Sequence, residues 1–340
     1  MHSVSFQQSN SLTSNPTDAV SLNFSHYLTQ RKASIEAHFE GGAPNYAFSL
    51  DKHLQKQISS IAPLRSLVQN TVSFAVPLQK QIQQMHSVAV GPRQLPEIYR
   101  VTEHCARILG IGIPQVFICP DPDINACTIA TDDVSPIILL SAGLVERMSL
   151  DELQFVIGHE CGHIHNRHGS YNTAVELMTN TMVRMVLKGL TIVGFTNLLY
   201  AAGQLMHGGI VMFLNRWSRC AEITCDRAGL ICCGDLEVAQ TSLVKLVVGS
   251  IEHIGELNVQ AFIEQTKSVN ATPVRMMELF RTHPLIPKRI ETLQHFANCQ
   301  TFYEWQPNLA ATNKADTKEK VDQRCERILA ILNNSNKSYA

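Results

Sequence analysis

The stretch that decides the fold occupies residues 158–163 and reads Gly158-His159-Glu160-Cys161-Gly162-His163. Histidines four positions apart lie one turn apart on the same face of an α-helix, where both imidazoles can reach one metal ion. Glu160 lies between them, where a carboxylate can act as general base toward a water on that metal. Because the pattern fixes only three residues, chance matches occur and the flanking sequence has to support it.

The residues before this stretch indicate where the helix begins. Ser149 and Glu152 have the spacing of a capping box. Asp151 and Glu152 also fall in the first turn, where the helix dipole favours negative charge. Apolar residues then continue at helical spacing into the histidines. The sequence therefore predicts that the motif lies on a helix, as metal binding requires, with zinc as the metal.

A second stretch, residues 216–229, also has helical character and carries two acidic residues on one face. Glu222 and Asp226 are four positions apart. They can form an ordinary solvated charge pattern with Arg219 and Arg227. Alternatively, Glu222 is a third metal ligand and Asp226 accepts a hydrogen bond from a ligating imidazole, because a ligand histidine needs a partner that fixes its tautomer. These residues alone leave both interpretations open.

Bulk properties exclude some functions. The chain has 340 residues, enough for one large domain or two small ones, and a formal net charge of −1. Without a basic stripe, we expect no nucleic-acid partner. The ten cysteines lack a regular framework and no signal peptide precedes them, which predicts reduced thiols in the cytosol. We interpret Cys232-Cys233 and the pair Cys220/Cys225 as buried small residues, with a thiolate metal site as the alternative.

Three short stretches before the metal helix have strand character: residues 115–119, 124–130 and 137–140. An exposed strand edge can pair with an extended peptide through main-chain hydrogen bonds and hold it over a metal. The alternative is that these strands only support the helix.

The uncharged segment 189–214 is long enough to span a bilayer. Polar residues and glycines interrupt it, so we interpret it as a buried or interfacial helical hairpin, with a transmembrane pair as the alternative. We therefore expect a cytoplasmic protein for which peripheral membrane contact through residues 189–214 is an option.

Three motifs together resemble the M48 family of zinc metalloendopeptidases: His159-Glu160-Cys161-Gly162-His163, Glu222-Ile223-Thr224-Cys225-Asp226, and Thr282-His283-Pro284 followed by Arg289. This family includes HtpX-type membrane proteases, CAAX prenyl proteases and stress-activated mitochondrial metalloproteases. The resemblance covers roughly residues 95–295, in the family's order. Membrane members carry spans before the motif, and this chain has no convincing span there, which fits soluble or peripheral relatives.

The resemblance assigns roles to individual residues. It implies one Zn²⁺ per chain, bound by three ligands: His159, His163 and Glu222. It also implies Glu160 as general base, Asp226 as the residue that orients a ligand histidine, and His283 as the group that steadies the oxyanion. Asn125-Ala126 resembles the start of the family's Asn-Ala-Phe-Ala edge strand, which lies along the substrate backbone. Cys127-Thr128 follow here, so that match is partial.

We predict an α+β fold that is predominantly α-helical, and the resemblance implies a zincin-like metalloprotease fold with a small β-sheet beside the metal helix. Residues 1–50 are expected to form a flexible or regulatory N-terminal arm and residues 51–94 a helical segment. Residues 95–306 are expected to form the catalytic domain, and residues 307–340 a linker and C-terminal helix.

The predicted function is that of a zinc-dependent endopeptidase that acts on protein or peptide substrates, with Glu160 as general base. The alternative is a chaperone-like or substrate-binding module that retains the zinc site. An inactive homologue in which the metal only holds the fold together is a further alternative. Exopeptidase activity also stays open at this point.

Overall fold

The computed structural model describes residues 39–40, 43–61, 81–130, 135–169, 171, 209–249, 256–268, 278, 281–309 and 315–331. This part of the chain is predominantly α-helical and contains a small four-stranded sheet, which confirms the predicted α+β class. In chain order its elements are β1 (Phe39–Glu40), β2 (Ala43–Pro44), α1 (Ser49–Ser60), β3 (Val88–Ala89), α2 (Pro96–Leu109), β4 (Gln115–Cys119), β5 (Ala126–Ile129), β6 (Ile137–Ser141), α3 (Ala142–Arg147), α4 (Leu150–His165), α5 (Gly209–Cys233), α6 (Leu236–Val248), α7 (Val259–Lys267), α8 (Ile286–Ala297), α9 (Gln300–Trp305) and α10 (Lys318–Leu329).

The four-stranded sheet has the order β3-β4-β6-β5. Strands β4 and β6 are parallel, with Gln115 opposite Ile137, whereas β3 and β5 run antiparallel to their neighbours. Strand β6 is buried along its whole length, which suits its continuous apolar run. The three predicted strands are confirmed within about two residues at each end, a usual uncertainty for element boundaries. Strand β5 forms one edge of this sheet and contacts α4.

Helices α4 and α5 pack against each other at close range because glycines lie at their contact. A Cβ atom on Gly162 would lie 2.8 Å from Cβ of Ala228, and one on Gly158 would lie 2.7 Å from Cβ of Cys232. A Cβ on Gly229 would likewise lie 2.7 Å from the carbonyl oxygen of Phe155. The close approach brings the two motif-bearing helices near enough for their polar side chains to meet.

The two ends of the described chain pack on α5. Tyr46 and Phe48, just before α1, are fully buried, and helix α10 contacts α1 and α8. A buried ion pair of 2.7 Å joins Arg227 of α5 to Asp322 of α10. Part of the predicted N-terminal arm, residues 43–50, therefore belongs to the packed body, and residues 1–38 lie outside the described residues.

Most of the uncharged segment, residues 189–208, also lies outside the described residues, and its last six residues begin α5. In the part of the chain that is described, no helix has the length and apolar character needed to cross a membrane. Membrane contact through residues 189–214 stays a prediction.

Candidate active site

The metal helix α4 begins with the predicted capping box. The Ser149 hydroxyl oxygen accepts from the backbone N–H of Glu152 at 3.2 Å, and the Glu152 carboxylate accepts from the backbone N–H of Ser149 at 2.7 Å. Lys245 of α6 forms a 2.7 Å ion pair with the same carboxylate. The first turn is therefore tied to a neighbouring helix, which sets the position of the histidines two to three turns later.

The three residues predicted as zinc ligands lie together in the structure. The Nε2 atom of His159 lies 3.6 Å from one carboxylate oxygen of Glu222, and Nε2 of His163 lies 3.5 Å from the other. All three side chains are buried. Two imidazole nitrogens and a carboxylate form a donor set that suits Zn²⁺ and leaves one position for water or substrate. These residues therefore fit the metal that the sequence predicts.

Asp226 and Arg289 support this set from behind. Nδ1 of His159 lies 3.0 Å from the Asp226 carboxylate, so the opposite ring nitrogen is left for the Glu222 side. The Arg289 guanidinium donates to both oxygens of Asp226 at 2.8 and 2.6 Å and lies 3.1 Å from Glu222. Burial alone would raise the pKa of both carboxyls. At Glu222 the charges of His283 and Arg289 outweigh burial, and at Asp226 the charge of Arg289 does so, which lowers the pKa of both carboxyls below their ordinary values.

Glu160 is held by a residue of the edge strand. The Thr128 hydroxyl on β5 lies 2.6 Å from Oε2 of Glu160 and donates to it. Glu160 itself is buried. Nothing in the sequence alone singles out Thr128, which is only a departure from the family's edge-strand pattern. Its role depends on β5 passing beside α4, which is a tertiary feature.

His283 reaches the site from the loop before α8. Its Nδ1 atom lies 3.0 Å from Glu222, and 60% of its side chain is exposed. The other predicted site residues on α4 and α5 are buried. His283 therefore lies beside Glu222 on the solvent side of the site, where it is accessible to a substrate.

These residues border a cavity of about 800 Å³. Its polar wall includes His159, Glu160, Glu222 and His283. Asn125 and Ala126, at the start of β5, also line it. Its apolar wall includes Phe155, Val156, Leu246, Val247 and Phe262. The cavity is large enough for several substrate side chains and offers both polar and apolar contacts.

Comparison with known proteins agrees with this geometry. Residues 92–297 match the sequence model of peptidase family M48. The chain belongs to peptidase family M48. The matched region begins before α2 and ends at the last residue of α8, so it contains every residue of the site described above. Membership makes the protein a peptidase of a metal-dependent kind, for which zinc is the general metal.

Several curated relatives share most of the M48 region. The plastoglobule-localized metallopeptidase 48 of Arabidopsis thaliana chloroplasts is 30% identical over 243 residues, which cover 69% of this chain and 66% of the plant protein. A protease HtpX homolog of Moorella thermoacetica is 26% identical over 230 residues, covering 62% and 75% of the two chains. The protease HtpX of Klebsiella pneumoniae is 30% identical over 210 residues, covering 56% and 69%. No solved structure gives a significant match.

Cys225 is a further candidate metal ligand in this M48 site. Ligand atoms of His159, His163 and Cys225 lie within 4.8 Å of one another. Burial, reinforced by the nearby carboxylates, raises the pKa of the Cys225 thiol well above its ordinary value. Cys220, Cys225 and Cys232 are buried, as predicted, whereas Cys233 is only half-buried. The ionised carboxylate of Glu222 that faces both Nε2 atoms is the better third donor.

Sequence reasoning missed two residues near the predicted ligand His163. His168 contacts His163, and Asp51 contacts His168. Both are fully buried, and burial lowers the pKa of His168 to about 4. His168 follows His163 by five residues, so its closeness is a local signal that was available. Asp51 lies on α1, far from the motif in sequence, and no local signal could have indicated it.

Proposed function

We propose that this M48 chain is a zinc-dependent endopeptidase that hydrolyses internal peptide bonds of protein substrates. The observation that carries the proposal is the convergence of two imidazole Nε2 atoms on the carboxylate of Glu222, with Glu160 in the same cavity of about 800 Å³. Three protein ligands with one free position mark a catalytic site, whereas a structural zinc site has four.

His159, His163 and Glu222 would hold the metal. Zinc bound there would supply a Lewis acid that makes a water more acidic and polarises the scissile carbonyl. Glu160 accepts a proton from the attacking water and later passes it to the leaving amine. The Thr128 hydroxyl holds the Glu160 carboxylate in place for both transfers, because it donates to Oε2 at 2.6 Å.

His283 supplies a donor on the exposed side of the site. It lines the cavity, lies 3.0 Å from Glu222 and is exposed, so it is accessible to a substrate bound there. A donor aimed at the developing oxyanion contributes on the order of 10²–10³ in rate. Arg289 is engaged by Glu222 and Asp226, so we assign it to holding the ligands.

Strand β5 would position the substrate. An extended peptide can pair with the edge of this sheet near Asn125 and Ala126, which line the cavity. The apolar wall, formed in part by Phe155 and Phe262, would receive a substrate side chain. The partial match of Asn125-Ala126 to the edge strand that lies along the substrate backbone favours cleavage inside a chain over removal of terminal residues.

The test compares wild type with Glu160→Gln, which keeps the size of the side chain but removes the base. We expect one zinc per chain in both proteins and cleavage of unfolded casein by the wild type alone. Addition of a chelator should stop the wild-type reaction. Equal cleavage by a clean preparation of Glu160→Gln would overturn the role of Glu160. Tight casein binding by both proteins without cleavage would favour the substrate-binding module instead.

A further inference from the structure

A row of buried polar side chains begins at His163 and leads to helix α1. Nδ1 of His163 lies 3.2 Å from Nδ1 of His168. Nε2 of His168 in turn lies 3.0 Å from Oδ2 of Asp51. His168 and Asp51 are fully buried, and neither of them lines the cavity. The row therefore joins helix α1 to the metal helix.

The direction of the hydrogen bonds at Asp51 is fixed by its neighbours. The Trp217 indole N–H donates to Oδ1 at 3.0 Å, and an indole can only donate. The Thr224 hydroxyl accepts from the backbone N–H of Phe48 at 3.1 Å and donates to Oδ2 of Asp51 at 2.6 Å. Asp51 thus acts as an acceptor toward every one of these groups.

The acceptor role of Asp51 also determines which ring nitrogen of His163 carries the proton. Because Asp51 accepts, Nε2 of His168 carries the proton of that hydrogen bond. A neutral imidazole protonated at Nε2 has its lone pair at Nδ1, so Nδ1 of His168 accepts from Nδ1–H of His163. His163 then has its lone pair at Nε2, the nitrogen that faces Glu222 at 3.5 Å.

We propose that Asp51 and His168 are positioning residues that hold His163 in the tautomer able to bind the metal, an inference that rests on the proposed zinc site. His159 receives the same support directly, since its Nδ1 lies 3.0 Å from Asp226. His163 receives it through one intervening imidazole. The two ligand histidines are thus oriented by different carboxylates, one on α5 and one on α1.

The hydrogen-bonded series Asp51–His168–His163 is called the relay below. Asp51→Asn tests this relay without changing the size of the side chain. The Trp217 N–H requires an acceptor, so the amide oxygen takes the Oδ1 position and the amide NH₂ faces His168. Nε2 of His168 must then accept, its proton moves to Nδ1, and His163 is driven to the Nε2–H tautomer. We expect zinc affinity, measured by competition with a chelator, to fall about 10–100-fold.

Two further variants separate the relay from general loss of stability. Trp217→Phe added to Asp51→Asn frees the amide to turn its oxygen toward His168, and should recover part of the lost affinity. His165→Gln is the matched control: His165 is a buried histidine of the same helix, and its Nδ1 lies 2.9 Å from the Tyr46 hydroxyl. We expect it to lower the free energy of unfolding and leave zinc affinity unchanged.

The outcomes distinguish the two proposals. Wild type that binds no zinc would contradict the proposed function itself. Wild type and Asp51→Asn with equal zinc affinity would overturn the relay and leave the proposed function standing. Should Asp51→Asn fail to fold, nitrogen NMR of zinc-loaded wild type decides: the relay requires His168 protonated at Nε2 and bare at Nδ1, and the reverse tautomer would contradict it.

Discussion

Individual residues in this site owe their roles to hydrogen bonds that fix where protons and charges lie. The two predicted histidine ligands lie one turn apart on α4, so local helical spacing identifies them in the sequence, whereas the role of Glu222 on α5 came from the family resemblance. Thr128 and Asp51 have no such spacing relation to the motif, whereas His168 follows His163 by five residues. The packed fold brings Thr128 to 2.6 Å from Glu160, His168 to 3.2 Å from His163, and Asp51 to 3.0 Å from His168.

At this scale, Thr128→Val should impair the chemical step. Valine keeps the shape of threonine and removes the donor to Glu160, and a hydrogen bond to a charged group contributes about 1.5–3 kcal/mol. We expect kcat on a peptide substrate to fall at least about tenfold, with KM and zinc content nearly unchanged.

Thr128→Ser is the control, because it restores the hydroxyl and should regain most of the activity. A Thr128→Val enzyme with wild-type kcat would show that Glu160 needs no support from β5.

At the scale of the elements, the site depends on how closely α4 and α5 approach. The sequence predicted both helices and the strand class of β4, β5 and β6, because periodic apolar patterns report which faces are buried. It could not predict that Gly158 and Gly162 are the points of contact. A glycine in a helix contributes no side chain to the apolar pattern, so the sequence does not show which helix it contacts. The pairing of α4 with α5 is also a long-range contact.

Gly162→Ala should separate the two helices. The added Cβ would lie 2.8 Å from Cβ of Ala228 and 3.1 Å from Cα of Cys225. Alanine is the better helix former by about 1 kcal/mol, but overpacking typically costs about 1–3 kcal/mol. We therefore expect lower zinc affinity and a lower midpoint of urea unfolding.

Ala228→Gly in the same chain removes the nearest clash and should recover part of the affinity. If Gly162→Ala bound zinc as tightly as wild type, the close helix contact would have no role in placing His163 relative to Glu222.

At the scale of the whole molecule, the residues just before α1 and the C-terminal helix α10 both pack against α5. The sequence divided these segments into an arm and a C-terminal helix from composition and periodicity alone. It could not show that Arg227 would be paired with Asp322, because partners so far apart in sequence leave no local pattern. The Arg227 guanidinium also lies 4.9 Å from the centre of the Phe296 ring.

Asp322→Asn should destabilise the protein. It leaves the buried Arg227 without its charged partner, a change that costs about 3–5 kcal/mol. Burial would raise the pKa of Asp322, but Arg227 and Lys318 lower it below its ordinary value. The stability from this pair is therefore fully present above about pH 4 and is lost as the pH falls through the lowered pKa.

Urea unfolding of metal-free wild type and Asp322→Asn across pH measures this directly. The difference in unfolding free energy should be large at pH 7 and should shrink below about pH 4. If the difference in unfolding free energy did not change with pH, the charge of the Asp322 carboxylate would not be what stabilises the packing of α10 on α5.

The central claim is that zinc binds His159, His163 and Glu222, and X-ray absorption at the zinc edge of the purified wild-type protein tests it most directly. Nitrogen and oxygen ligands lie about 2.0–2.2 Å from zinc, whereas a thiolate lies about 2.3 Å away and scatters more strongly. We predict a first shell of nitrogen and oxygen alone, with two imidazoles. A sulfur ligand would contradict the account, because Cys225 would then hold the metal.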